Sequence, residues 1–495
     1  MSNDETQDLL ARLAGQQNGD SQGAKSDPYT DMAASKPQHE KEDDQQLQAI
    51  LGRINELTEK KHGMPVGNEA GSELQDGEFF PVEPESFEAA GLTESDVESI
   101  VMKYLLARGD AAGRDIAEQL KLPFGMVDVL LRELKNDQLL VHRCSAPMND
   151  YIYQLTDFGR ERARRYVDHC TYFGAAPVAL NDYVESVSEQ SLTTRSPSNE
   201  ELRAAFEDLS LPDWLLDRLG PAVNSGRGLF LYGQPGNGKT SIAERVTGTF
   251  GDSIWIPRAI GIDGEIIRLF DPVNHIELPI EDNSGLIDQR RIDRRWVRIK
   301  RPTIIAAGEL TMEMLEVTLN TSTGISEAPL QLKSNCGTLV IDDFGRQKMN
   351  IDELLNRWIL PLEKRYDFLS LPNGKKIQVP FDQLIVFSTN LEPRDLVDEA
   401  FLRRIPYKIE VKDPSEQEFR ELLISMAEGF GFTVHQSAVD YLLDHHYKAA
   451  GREMRYCHPR DLLMQVKSFC AFKKAPLELK NEYFDMAVDN YFAIM

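Results

Sequence analysis

Between Gly91 and His169 apolar residues recur at helical spacing. Thr93 is followed three residues later by Asp96, a helix-start pattern. Val97, Ile100, Val101, Tyr104 and Leu105 then repeat every three or four positions, which predicts a first helix. "AAGRDIAEQLKLP" predicts a second, ended by Pro123, and "FGMVDVLLRELKNDQ" a third. "LLVHR", the polar turn "SAPMND" and "YIYQLT" read as a β-hairpin, and "DFGRERARRYVDH" closes the stretch with a helix. From Gly228 the texture changes. Gly228–Tyr232, Thr338–Ile341 and "DQLIVFSTN" are uninterrupted apolar runs, the pattern of strands buried on both faces. A helix ("IDELLNRWILPLEKRYD") and a hairpin turning at Pro372–Gly374 separate the last two runs. Beyond Pro414 the pattern is helical again, through "SEQEFRELLISMAEGFG", "SAVDYLLDHHYKAA", "PRDLLMQVKSFCAFKK" and "NEYFDMAVDNYFAIM".

These patterns divide the 495 residues. Residues 1–88 are rich in Gln, Asp, Glu, Ser and Gly and predict a disordered acidic tail. Within it Leu47, Ile50, Leu51, Ile54 and Leu57 predict one short amphipathic helix, either transient or docking on a partner or a neighbouring subunit. Residues 89–170, three helices and a hairpin wing, predict a winged-helix domain. Residues 171–226 read as a linker with bracing helices, 227–412 as an α/β core, and 413–495 as a helical lid. The net charge of −25 argues against broad binding to nucleic acid or anionic membrane. About half of that excess lies in residues 1–90, with 19 acidic against 7 basic side chains. The third helix carries Asp128 and Glu133 against Arg132 and Lys135. A neutral reading helix favours a protein-interaction role over DNA binding, although DNA stays open. No stretch is apolar enough to insert in a membrane, and "MSNDETQDLL" lacks the features of a secretory signal. The scattered Cys144, Cys170, Cys336, Cys457 and Cys470 suit reduced thiols, so the expected location is cytoplasmic.

The run Gly233-Gln234-Pro235-Gly236-Asn237-Gly238-Lys239-Thr240, with Ser241 beyond it, follows a strand and opens a helix. It fits G-x-x-x-x-G-K-[ST], a phosphate-binding loop. The glycines let successive N–H groups converge, and the helix adds its N-terminus for anionic oxygens. Lys239 is expected to reach the β- and γ-phosphates of ATP, and Thr240 to hold Mg²⁺. "GTLVIDDFGRQ" ends a buried strand in Asp342, a metal-side acid, and Asp343, placed to orient an attacking water. Asn390, ending the next strand, can bond the γ-phosphate or its water. Arg403 and Arg404 stand at a helix-to-strand junction, from which an arginine could reach a neighbouring subunit's γ-phosphate. His275 in "DPVNH" has no metal-spaced companions and reads as structural.

Together these motifs resemble the AAA+ ATPases over about residues 200–490. The match identifies Gly233–Thr240 as Walker A, Leu339–Asp343 as Walker B and Asn390 as sensor 1. Arg403 or Arg404 corresponds to the arginine finger, and Arg460 in "CHPRDLL" to sensor 2. The Pro372–Gly374 hairpin resembles the pre-sensor-1 hairpin of one AAA+ branch, and the run into "PFDQLIVFSTN" looks like the corresponding part of MoxR-type chaperone ATPases. "LLNRWILPLE" and "FLRRIPYKI" look like a bacterial group of chaperone-type ATPases sometimes linked to Flp pilus assembly. The Tyr-x-Leu-Thr-x-x-Gly-Arg run from Tyr153 resembles the wing end of winged-helix domains. The resemblance implies a homo-oligomeric ring, usually hexameric, with MgATP between subunits and an unidentified protein client remodelled by hydrolysis. Two alternatives remain: a DNA-associated ATPase, and a slowly hydrolysing, ATP-dependent assembly switch. The second rests on Asp343, where the family usually has Glu. The insertions between the first two motifs leave no assignable pore loop.

Overall fold

A computed structural model describes residues 79–209, 211–280 and 292–493. The tail helix expected over Leu47–Leu57 lies outside the described residues. The N-terminal part begins with α1 (Glu94–Arg108), and Thr93 and Asp96 close a reciprocal capping box at its start. After β1 (Asp110–Ala112) come α2 (Gly113–Leu120) and α3 (Phe124–Asn136). β2 (Leu140–Ala146) and β3 (Asp150–Leu155) then pair antiparallel, and α4 (Asp157–His169) follows. β1 joins the far edge of β3, so the sheet order is β1-β3-β2. The apolar side chains at helical spacing converge on one core from Ala90 to Ala176, with Ile100, Ile116, Val127, Leu131 and Tyr153 fully buried.

The central sheet has five parallel strands: β5 (Leu229–Tyr232), β10 (Thr303–Ala306), β13 (Thr338–Ile341), β16 (Leu384–Thr389) and β17 (Tyr407–Glu410). Their order is β10-β13-β16-β5-β17. Period-two alternation explains the continuous apolar runs. Leu229, Leu231, Val340, Leu384 and Val386 face one core, which holds Ile242 and Val246 of α8 (Lys239–Val246) and Leu219 and Val223 of α7 (Asp213–Asn224). Phe230, Leu339, Ile341, Ile385 and Phe387 face the other, against Leu354, Leu355 and Trp358 of α9 (Ile351–Lys364). α6 (Asn199–Ala205) joins the first of these cores through Leu202.

The long stretch between the first two motifs forms a module of its own. The edge strand β4 (Val178–Ala179) and the helix after it, α5 (Leu180–Glu189), come from the stretch read as linker. With β7 (Ala259–Ile262), β8 (Glu265–Arg268), β11 (Thr318–Asn320) and β12 (Ile325–Glu327), β4 builds a second sheet in the order β11-β12-β8-β7-β4. β6 (Ser253–Pro257) pairs with β9 (Trp296–Lys300), and both share a core with the hairpin of β14 (Tyr366–Ser370) and β15 (Lys376–Pro380). His275 is structural in its contacts: it is buried, Nδ1 accepts the Asp271 N–H, and Nε2 faces the Lys333 carbonyl at 2.9 Å. Among the described residues no group of three or more His, Cys, Asp or Glu side chains is arranged to hold a metal ion, and no helix is long and apolar enough to cross a membrane.

The C-terminal part packs α10 (Glu416–Gly429), α11 (Gln436–Tyr441), α12 (His458–Lys473) and α13 (Asn481–Tyr491) around Phe419, Leu443, Leu463 and Phe484. A π-helical turn, Leu442–Lys448, continues α11.

One buried ion pair ties the N-terminal part to the inserted module. Arg295 and Asp293 are each 3% exposed and meet at 2.7 Å. Arg295 Nη1 also donates to the carbonyls of Ala90 and Pro177. Arg294 bonds Glu118 of α2 at 2.8 Å, and the Thr171 N–H donates to the Thr323 carbonyl. Arg295→Ala strands a buried carboxylate and two carbonyls, and should cost about 3–5 kcal/mol. The measurement is the urea-unfolding midpoint followed by tryptophan fluorescence, which should fall. An unchanged midpoint would show that the junction does not depend on this pair.

Candidate functional site

Parallel strands bring their carboxyl ends to one edge, and the site is built there. The loop after β5 carries Gly233, Gly236 and Gly238 at φ of +137°, +86° and +79°. A Cβ on Gly233 would lie 2.5 Å from the Val411 carbonyl oxygen, and one on Gly236 would lie 2.5 Å from Cys457 Sγ. The loop is therefore pressed against the chain beyond β17 and against the C-terminal helices, and only glycine fits at both points. α8 starts at Lys239 with no side-chain cap, as do α2, α3 and α7. That leaves its first N–H groups to be satisfied by something other than a side chain.

Lys239 is 7% exposed, and its ammonium donates to the carbonyls of Gly233 (3.0 Å) and Gln234 (2.9 Å) and to Asn390 Oδ1 (2.8 Å). Burial lowers its pKa, and the charges of Asp342 and Asp343 oppose that shift. Thr240 Oγ1 donates to Asp342 Oδ2 at 2.8 Å. Asn390 uses its other end, Nδ2, to reach Asp343 Oδ1 at 3.2 Å. One amide therefore spans the ammonium and the second carboxylate, so its two ends have distinct partners.

The turn carrying the acids is held from three sides. Asp343 has φ of +47°. The Phe344 N–H donates to the Ser388 carbonyl at 2.7 Å, and Thr389 Oγ1 donates to the Phe344 carbonyl. Gln347 Nε2 donates to the carbonyls of both Asp342 and Asp343, while its Oε1 accepts from Gly345 N–H. These bonds fix the end of β13 beside the end of β16.

Above these groups lies a cavity of about 690 Å³. Pro235, Gly236, Asn237, Gly238, Lys239, Thr240 and Ser241 line its floor with Asp342, Asp343 and Asn390. Its apolar wall comes from Leu211, Trp214, Leu422, Met426 and Tyr456, and Lys412 lies 5.8 Å from the Trp214 ring. Arg460 is on the rim, 63% exposed and paired with Asp461. Arg455 is the better-buried arginine of that segment, pairs with Asp413, and its charge bears on Lys239. Asn237 donates to Asp413 Oδ1 at 2.7 Å, and Cys457 N–H donates to the Gly236 carbonyl at 3.0 Å. Loop and C-terminal helices are thus joined directly. Arg403 and Arg404 are not in this cavity; they line a second one.

Sequence reasoning brought together Gly233–Ser241, Asp342, Asp343, Asn390 and Arg460. It missed Trp214 and Lys412, which belong to no local motif, and it gave no role to Arg346, which lines the cavity, or to Gln347, although both were in view in "DDFGRQ". The residues fit a nucleoside triphosphate with Mg²⁺: a buried ammonium with neutral oxygen partners, an uncapped helix start, and a hydroxyl–carboxylate pair at metal-sharing distance.

A parallel sheet with this loop and helix at its carboxyl edge is an α/β core of the P-loop type. A family model described as a domain of unknown function (DUF8689) matches residues 415–490. No curated protein matches the chain. Among solved structures it is similar to a point mutant of Thermotoga maritima RuvB, at 12% identity over 62% of this chain and 74% of that one, with a TM-score of 0.32. It is also similar to NtrX from Brucella abortus, at 14% identity over 73% of this chain and 72% of that one, with a TM-score of 0.36. At these values the P-loop assignment rests on the chain's own sheet order and loop geometry.

Gly236→Ala should lower the thermal midpoint, from a left-handed penalty of about 1–2 kcal/mol and from the clash with Cys457. Adding Cys457→Ala should recover the part due to the clash. Equal midpoints for the single and double variants would show that the loop does not bear on the helices at this contact.

Proposed function

We propose that the chain is an AAA+ ATPase that binds MgATP in the first cavity and uses its hydrolysis to remodel or assemble a protein partner. The observation that carries this reading is the connected set Lys239–Asn390–Asp343 beside Thr240–Asp342, at three neighbouring strand ends under a nucleotide-sized cavity. Lys239 and the N–H groups at the start of α8 would hold the β- and γ-phosphates. Thr240 and Asp342 would hold Mg²⁺, which when bound offsets phosphate charge. Asp343 would orient the attacking water and accept its proton, and Asn390 would keep that carboxylate in register with Lys239. Trp214, Tyr456 and Met426 offer an apolar slot of the kind a base occupies.

The contacts of Asn237, Gly236 and Cys457 support a lid role for residues 413–495, because a change at the phosphate loop is passed directly to those helices. Arg460 on the rim is suited to reach the nucleotide in cis. Arg403 and Arg404, away from their own chain's cavity, suit action on a neighbouring copy, in a ring that the family resemblance makes hexameric. The chaperone-type and MoxR-like resemblance supports a protein client, in the cytoplasm. Helices α1–α3 and the small sheet of the N-terminal part suit a winged-helix module for protein contact. In α3, Arg132 is held by Asp128 at 2.6 Å, which leaves that helix little free positive charge for DNA.

A slowly hydrolysing switch is favoured by one observation: Asp343 is short, sits at φ of +47° and is engaged by Asn390. Asp343→Glu then raises turnover, whereas in a fast motor it does not.

The test is steady-state ATP hydrolysis over a wide range of protein concentration. Specific activity should rise with concentration, and Lys239→Ala should abolish it. Asp343→Asn should lower kcat by about 10²-fold or more while MgATP still binds. Arg403→Ala or Arg404→Ala should remove turnover with binding retained. Activity that is independent of concentration and survives Lys239→Ala would overturn the reading.

A further inference from the structure

A second cavity, of about 510 Å³, shares no lining residue with the first. Four of its lining residues are arginines, Arg227, Arg365, Arg403 and Arg404, and Glu363 is the one acid among them. They arrive from three separate places in the chain. Arg227 follows α7. Arg365 ends α9 in a left-handed conformation at φ of +63°. Arg403 and Arg404 occupy the turn before β17.

Their charges are only partly matched from within, with a nearby carboxylate for two of the four. Arg365 Nη2 and Arg404 Nε are buried and have no hydrogen-bond partner. The nearest acids, Asp382 for Arg365 at 3.7 Å and Glu363 for Arg404 at 3.6 Å, are beyond hydrogen-bond length. Arg365 Nη1 does reach the Gln383 carbonyl, and Arg404 Nη1 reaches that of Ala400. Among the described residues neither Arg227 nor Arg403 has a carboxylate partner. Burial depresses the pKa of Arg365; the Asp382 carboxylate opposes that shift, and the neighbouring Arg227 charge adds to it. Four guanidinium groups lining one cavity with a single acid among them favour a ligand rich in planar, anionic oxygens. The volume exceeds what one orthophosphate would fill.

We propose that this cavity is a second binding site for an oligophosphate, with Arg227 and Arg365 as ligands beside Arg403 and Arg404. The phosphate chain has two possible sources: a nucleotide seated in the first cavity of another copy, or a free oligophosphate. The first source rests on the reading of Arg403 and Arg404 as acting on a neighbour; the second does not.

The experiment has two arms. In the first, tripolyphosphate is titrated calorimetrically into the full chain carrying Lys239→Ala, at a concentration where it sediments as a monomer. A free-oligophosphate site gives one bound tripolyphosphate per chain, weakened at least tenfold by Arg227→Ala and by raised salt. In the second, MgATP-dependent assembly of the otherwise unaltered chain is followed by sedimentation. A neighbour-nucleotide site gives no tripolyphosphate binding by the monomer, but Arg227→Ala raises the protein concentration needed for assembly at least tenfold, with MgATP binding unchanged. Arg365→Lys should weaken whichever effect is seen while keeping the charge. Arg227 is exposed, so its variant should keep the wild-type thermal midpoint. The proposal is overturned if Arg227→Ala changes neither arm, or if tripolyphosphate binding survives it. Failure of the unaltered chain to bind MgATP would sink the ATPase reading instead, and the tripolyphosphate arm alone would then decide this one.

Discussion

A lysine ammonium lies buried where three parallel strands end, and its hydrogen-bond partners are all neutral oxygens. Holding a charge there is costly unless its surroundings are arranged for it. The arrangement accounts for much of the local structure. The carbonyls of Gly233 and Gln234 turn inward because the loop takes positive φ at its glycines. Asn390 is drawn to the end of β16, and Gln347 and Phe344 lock the acidic turn so that Asp342 and Asp343 stand near the ammonium without contacting it. An anion entering this edge meets a positive charge already desolvated and already positioned.

The same edge is joined to the parts that the proposed hydrolysis-driven motion would use. The phosphate loop touches the C-terminal part directly through Gly236, Asn237 and Cys457. On the other side, the hairpin β14–β15 shares a core with the inserted module, and that module holds the N-terminal part through Arg295 and Asp293. Packed cores and a buried ion pair transmit displacement better than a linker would. Residues 178–189, which look like linker, serve as an edge strand and a packing helix of that module.

What could be read from the sequence follows from how local each signal is. β5, β13 and β16 were legible because strands buried on both faces need unbroken apolar runs. The phosphate loop was legible because its glycines, lysine and threonine must be contiguous. The inserted sheet was not, since its strands of two to four residues carry a pattern too short to read, and one of them lies before the P-loop. Trp214 and Lys412 meet only in the folded chain, so no spacing could announce them. Arg460 was readable from its place at a helix start, whereas Arg455, whose charge bears on Lys239, precedes the helix in an irregular segment. Of the second cavity's arginines only the adjacent Arg403 and Arg404 stood out; Arg227 and Arg365 join them through the fold.

The most direct test of the central claim is amide hydrogen exchange of the full chain with and without MgATP. The account predicts slowed exchange in four separated segments at once: the phosphate loop and start of α8, the turn at 342–347, the end of β16, and residues 455–460. Protection confined elsewhere, or none at saturating MgATP, would contradict it.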